Sequence, residues 1–212
     1  MMTNFIPIFP LHIVAYPGEC LNLHIFEERY KQLIAECVEF KKPFGIPSVL
    51  SNSMADLGTL MEVTEIVKTY DDGSLDIKTR GVKVFRVLEI VQNIPEKLYD
   101  GAIVSYPEKN DTIIPHYSIN LLEAMRELHK VMQVNKDFKK ADEALSSYDI
   151  AHHAGLTLEE EYEVLSLFRE DQRLEYIKRH ITKLLPMAIA MEAMKERINL
   201  NGHFKQLKGF DI

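Results

Sequence analysis

The chain is poor in cysteine, in long apolar runs and in the short motifs that usually carry chemistry. Two cysteines, Cys20 and Cys37, stand among 212 residues, and neither belongs to a C-x-x-C pair. That excludes a disulfide framework and a thiolate metal site. Both thiols are expected to be reduced core groups, one beneath a strand and one on a helix. No run of about 18 or more apolar residues occurs, so no helix is expected to span a membrane. Met1 to Pro7 has no basic segment followed by an apolar core, so no secretory leader is expected and a cytoplasmic location follows. The phosphate-cradling pattern G-x-x-x-x-G-K-[ST] is missing. So are the nucleophile elbow G-x-S-x-G and the metal motif H-E-x-x-H. His152 and His153 are adjacent, and neighbours on a helix point about 100° apart, which seldom suits one ion. No catalytic residue, metal ligand or cofactor is therefore expected.

What is present reads as an ordinary soluble globular protein, 46% hydrophobic and 27% charged. Its net charge of −7 argues against a dedicated nucleic-acid binder. The richest stretch is Phe9 to Tyr30. Phe9, Leu11 and Ile13 alternate as a strand would, and Tyr16-Pro17-Gly18 is turn chemistry. Leu21, Leu23 and Ile25 alternate again, with Asn22 and His24 on the opposite face. Glu27 and Glu28 suit the first turn of a helix. Tyr30, Leu33, Ile34, Cys37 and Val38 then form one apolar stripe.

Later segments extend the pattern. The first strand is expected over Phe5–Val14, at an edge because Pro7 and Pro10 lack an N–H. Phe44–Leu50 reads as a strand and Ser51–Gly58 as a polar loop. A long strand from Gly58 to Tyr70 turns at Asp71-Asp72-Gly73-Ser74, a hairpin signal. Leu75, Ile77 and Thr79 alternate with Asp76, Lys78 and Arg80. Gly81 marks a corner, and a slip in apolar phase places a bulge near Val84–Phe85. Gly101–Tyr106 is the last strand. Beyond Pro107–Pro115 the period changes from strand to helix. Leu121, Met125, Leu128 and Met132 share one face, and Asp142–Ala154 reads as a second helix ending at Gly155. Thr157 and Glu160 form a capping box. A long helix from Asp171 carries Pro186, where a kink or break is expected, and ends at Asn201-Gly202. The fold class is α+β, with a β-barrel lobe over 1–110 and a helical bundle over 111–212.

Pro10-Leu11, Pro17-Gly18 and Leu23-His24-Ile25-Phe26-Glu27 with Arg29-Tyr30 make one block. Leu57 to Ile66, including Gly58 and Glu62, followed by Asp72-Gly73 and Thr79-Arg80-Gly81, makes a second. In this order the chain resembles the Lon protease N-terminal (substrate-binding, PUA-like) domain, here without ATPase and protease modules. The resemblance implies a PUA-like β barrel followed by a C-terminal α-helical bundle. It also implies a non-catalytic protein that binds unfolded or specific polypeptides and delivers them to, or regulates, an ATP-dependent protease. The motif residues, His24, Glu27, Arg29 and Tyr30 included, are expected to be mostly scaffold. Candidate contact surfaces are the edge of strand one, the barrel mouth and the seam between lobes, with Met61, Met191 and Met194 as partner-binding candidates. The alternative is an RNA-binding PUA-like module using Lys78, Arg80, Lys83 and Arg86. Asp71, Asp72 and Asp76 beside that cluster, and the few stacking aromatics, argue against it.

Overall fold

The computed structural model describes residues 4–108, 115–135, 138 and 140–207. Their contacts divide into two compact units. The first contains six strands: β1 (Asn4–Pro7), β2 (Cys20–Ile25), β3 (Phe44–Leu50), β4 (Ser53–Thr69), β5 (Leu75–Val91) and β6 (Gly101–Ser105), with helix α1 (Glu28–Glu39) between β2 and β3. The strands pair antiparallel in the order β1-β6-β5-β4-β3, and β2 also pairs with β5. The two ends of that order are joined by parallel bridges from Ile8 to Gly45 and from Leu11 to Ser48. The barrel is thereby nearly closed, as the alternating pattern predicts.

The first strand is shorter than its alternation suggests. Pro7 and Pro10 remove ladder donors, so the residues after β1 hold to β3 by single bonds such as Phe9 N–H to the Gly45 carbonyl at 2.8 Å. The edge of strand one is therefore not an open surface: β1 pairs with β6 and its continuation with β3. The expected loop at Ser51–Gly58 is instead a tight hairpin. Ser51 and Asn52 both have positive φ (45° and 66°), and β4 begins at once at Ser53. Its hydroxyl donates to the Leu50 carbonyl. The irregularities of β5 lie at Val82, where pairing with β4 steps from Leu60↔Lys83 to Met61↔Gly81, and at Leu88 against β6, rather than at Val84–Phe85. Cys20 is exposed, because its β2 position points away from the core; Cys37 is buried as expected.

Two apolar clusters fill the barrel. One gathers Tyr30, Leu33, Ile34 and Cys37 of α1 against Phe44, Ile46, Met61 and Ile77. The other packs Ile6, Ile8, Leu60 and Phe85 against Ala102 and Val104. Helix α4 (Leu158–Ser166) belongs to this same unit, which takes in residues 155–170. The Tyr162 hydroxyl accepts from Leu57 N–H at 3.1 Å, and the Tyr16 hydroxyl donates to the Glu161 carbonyl at 2.9 Å. A lobe boundary at 110/111 leaves out this return, whose strand contacts were invisible in a helical period. Its capping box forms as Thr157 and Glu160 predict.

The second unit comprises residues 113–154 and 171–212. It contains α2 (Pro115–Val131), α3 (Ser147–Ala151) and α5 (Glu170–Leu207), which begins at the unit boundary. The expected helix over Asp142–Ala154 is a 3-10 turn at Asp142–Ala144 and then α3, restarted by a Ser146–Asp149 capping box. Arg173 is fully buried, its Nε donating to Ser147 Oγ at 2.8 Å and its guanidinium lying 4.2 Å from the Tyr148 ring centre. Helix α5 is assigned as continuous through Pro186 and past Asn201-Gly202. The break expected at Pro107–Pro115 falls mostly outside the described residues.

Gly81 N–H donates to the Glu19 carbonyl and Gly18 N–H to the Gly81 carbonyl, each at 2.8 Å. A Cβ on Gly81 would collide with the Tyr16 carbonyl oxygen. Gly81→Ala is expected to cost about 2–3 kcal/mol of unfolding free energy, read by chemical denaturation. Gly73→Ala has only a positive φ of 77° against it and should cost about 1 kcal/mol.

Candidate functional site

Helix α1 lies over the first core cluster and is anchored at three points along its length. Gln32 donates to the Glu96 carbonyl and accepts from Leu98 N–H. Glu36 accepts from Lys97 Nζ and from the Tyr99 hydroxyl, both at 2.7 Å. Lys31 reaches Glu28 and the Asp72 carbonyl in the β4–β5 turn. The helix then stops abruptly: Lys41 takes a left-handed φ of 50°, Lys42 N–H returns to the Cys37 carbonyl, and Pro43 follows.

That stop leaves a groove of about 400 Å³. One wall is the end of α1 with Cys37, Val38, Lys41 and Lys42; the other is β4 from Glu62 to Ile66. The strand wall is an open edge. Pairing between β3 and β4 ends at Phe44↔Met61, whereas β4 continues to Thr69 with only β5 beside it. Residues 62–69 have no strand partner on the groove side among the described residues. Val38 (40% exposed) and Ile66 (44%) supply accessible apolar surface. The Cys37 thiol is pushed up to about 12 by burial, reinforced by Glu36. It is an apolar lining group and not a nucleophile at neutral pH.

Most of the sequence-predicted residues fall into the scaffold around this groove. Tyr30 is buried 4.0 Å (ring centres) from Phe9. Arg29 binds Glu27 at 2.7 Å and lies over the Tyr30 ring at 4.5 Å. Pro17 and Gly18 form the turn that meets Gly81. Pro10 and Leu11 lie in the segment bridged to β3. A Cβ on Gly58 would strike the Ile46 carbonyl. Asp72 accepts from Ser74 N–H (3.0 Å) and its hydroxyl (2.7 Å), closing the turn in which Gly73 sits. His24 bonds Asp76 on the adjacent strand at 2.7 Å, not a loop, and stacks near the exposed Phe26. Of the two motif blocks, only the end of the second, Glu62 to Ile66, lines the groove. Met61 is a correction: it is fully buried in the first core cluster, so no partner reaches it, whereas Met191 and Met194 are exposed on α5.

Two of the four residues of the proposed basic cluster, Lys78 and Lys83, are engaged with neighbouring side chains. Lys78 is paired with Glu65 at 2.7 Å, Lys83 lies 3.4 Å from the Tyr106 ring centre, and Arg80 stands in register with Glu62. Among the described residues no three His, Cys, Asp or Glu side chains converge as a metal site would require, and no helix is long and apolar enough to cross a membrane.

A model of the ATP-dependent protease La (LON) substrate-binding domain matches residues 6–183. The chain belongs to this family. The fold agrees with solved Lon N-terminal domains. A Lon N-terminal domain protein from Xanthomonas campestris superposes with a TM-score of 0.60 at 24% identity, over 81% of this chain and 95% of that one. The N-terminal domain of a Mycobacterium avium complex Lon protease gives 0.60 at 12% identity, over 84% and 98%. Membership in the Lon substrate-binding family supports a substrate-binding role, and what the matched model describes is a binding domain.

The open β4 edge escaped sequence reasoning, although a signal existed. The hairpin arms are 7 and 17 residues long, and Lys41-Lys42-Pro43 breaks the shorter arm where the longer one continues.

Glu36 fixes the helix that forms one wall. Burial opposes its charge, but the bonds from Lys97 and Tyr99 outweigh burial and hold its carboxyl below the ordinary glutamate value. A lowered folded value gives stability that is present above the unfolded value and lost as pH falls through the folded one. Glu36→Gln should therefore cost about 1–3 kcal/mol at pH 7. In denaturant titrations at stepped pH, the deficit should shrink progressively as pH falls below the ordinary glutamate range.

Proposed function

We propose that the protein is a non-catalytic substrate receptor that holds exposed, extended segments of polypeptides in the groove between α1 and β4. It passes them to, or regulates, an ATP-dependent protease in the cytoplasm. The observation that carries this reading is the open edge at residues 62–69 with an apolar-walled groove beside it. An edge strand offers unpaired backbone N–H and C=O groups that any extended chain can satisfy, whatever its sequence. Val38, Val63 and Ile66 supply apolar contact without demanding one particular side chain. Such a site suits a receptor for many clients. Membership in the Lon substrate-binding family supports the same role.

Fluorescence anisotropy with a labelled, permanently unfolded polypeptide and a labelled single-stranded RNA, each at low and high salt, tests the reading. The polypeptide should bind saturably and with little loss at high salt, and the RNA should not bind. Paired Val38→Asp and Ile66→Asp changes sit on exposed positions and should leave Tm within a few degrees. They should weaken polypeptide binding about tenfold, since two apolar contacts are lost. Undiminished binding by the double variant would move the site elsewhere, and salt-sensitive binding of RNA alone would overturn the receptor reading.

A further inference from the structure

We infer that the groove takes the C-terminal end of an extended polypeptide, added antiparallel to β4, with the terminal carboxylate held by Lys41 and Lys42. This rests on the receptor reading above and specifies what the receptor recognises. The geometry begins with the unequal hairpin. Strand β3 starts at Phe44 opposite Met61, so β4 runs on alone from Glu62 to Thr69. Pro43 has no N–H to extend the ladder, and the left-handed turn at Lys41 carries the preceding chain away into α1. A segment filling the vacated line would be collinear with β3, and if it pairs as the named strands of this sheet do, it runs in the direction of β3, antiparallel to β4. Its leading end would then meet Pro43 and Phe44, because β3 already occupies the line. A continuing chain would have to turn out of the groove at that point. A chain terminus would not.

The charges at the blind end match a terminus. Lys41 and Lys42 are both exposed, and neither has an acidic partner among the described residues. Lys42 lies 5.4 Å from the Phe40 ring centre. Nearby Lys31 and Lys78 are by contrast committed to Glu28 and Glu65. Two uncommitted ammonium groups beside a closed end can bind a carboxylate through charge-assisted hydrogen bonds. The strand wall carries Glu62 beside that end, in register with Arg80 of β5, and Glu65 three residues on, paired with Lys78; both disfavour further acidic side chains. The expected occupant is therefore an apolar tail with one carboxylate at its end. Bulges at Thr64 and Val67, where the β4–β5 register shifts, interrupt the edge. They shorten any ladder formed there, which places more of the affinity in the terminal contact.

The test uses the full chain and an eight-residue Val/Thr peptide ending in Leu, fluorescein-labelled at its N-terminus. It is prepared as the free acid, as the C-terminal amide, and as the amide with one internal Asp. Anisotropy should show saturable binding of the free acid and about tenfold or greater weakening for both amides. Lys41→Glu combined with Lys42→Glu should weaken the free acid by a similar factor, leave the amide unchanged and leave Tm unaltered. Equal binding of acid and amide, recovery by internal Asp, indifference to the lysine reversal, or no binding of any peptide would each overturn the inference. If the unfolded polypeptide still binds in an Ile66-dependent way, the receptor reading survives that failure. If it too does not bind, both fall.

Discussion

The arrangement depends on one close approach, that of the Tyr16–Glu19 turn against the backbone of Gly81. At Gly81 the long strand β5 changes neighbours: β2 pairs with residues 75–80 and β6 with residues 86–91. One strand can serve both only if it bends between them, and the bulge at Val82 supplies the bend. The reciprocal bonds of Gly81 with Gly18 and Glu19 fix where the bend occurs. The same turn ties outward, through Thr59 Oγ1 donating to the Ala15 carbonyl and Tyr16 donating to α4. Without a side chain at residue 81, the turn reaches the corner; with one, β2 and the helix that follows it would have to shift. The position of α1, and so of the groove, follows from that contact.

Helix α1 in turn decides what happens to the edge of β4. An exposed edge of eight residues is a liability, since it can template pairing with any stray strand. Here the exposure is tempered by two bulges and by charged positions at Glu62, Glu65 and Lys68, with Glu65 bound to Lys78 and Lys68 held 4.1 Å from the Tyr70 ring centre. Those are the features of an edge protected against indiscriminate pairing. The groove alongside Glu62–Ile66 is the exception, because the α1 end stands off the strand there and leaves apolar walls accessible. A protected edge with one accessible stretch favours reversible capture of single segments over aggregation.

Most of the barrel was legible in the sequence because alternation, turn chemistry and glycine placement all pointed one way. Leu75, Ile77 and Thr79 turn inward while Lys78 and Arg80 stay wet, and the Asp72–Gly73 turn closes as composition requires. What misled was local sequence whose meaning depends on distant partners. Ser51–Gly58 looked like a loop because polar residues on a half-exposed hairpin carry no apolar period. Leu158–Ser166 looked like part of the helical lobe because a helical stripe does not say which core it serves. Met61 looked like an adaptable contact residue, yet its register opposite Phe44 places it beneath α1. The candidate site was legible only as the end of a motif block, Glu62 to Ile66. An edge is defined by a missing neighbour, and no residue pattern within β4 itself announces that β3 stops at Phe44.

The charge balance sharpens the functional argument. At −7 overall, the protein repels acidic chains at long range, and at physiological ionic strength that field is screened within about 8 Å. The local field at Lys41 and Lys42 is therefore what a bound segment experiences, set by two ammonium groups near Glu62, which stands in register with Arg80, and Glu65, which is paired with Lys78. Glu36 is on the same helix but is turned toward Lys97 and Tyr99, so its charge is spent on holding α1 in place. The division of labour is physical. Glu36 on the inner side of α1 secures the wall, and Lys41 and Lys42 past its end have no acidic partner among the described residues. A carboxylate arriving at the blind end meets the helix C-terminus, whose carbonyls are unfavourable to anions. The two lysines offset that partial negative charge, and an ammonium close to each of two carboxylate oxygens is the simplest arrangement that can do so.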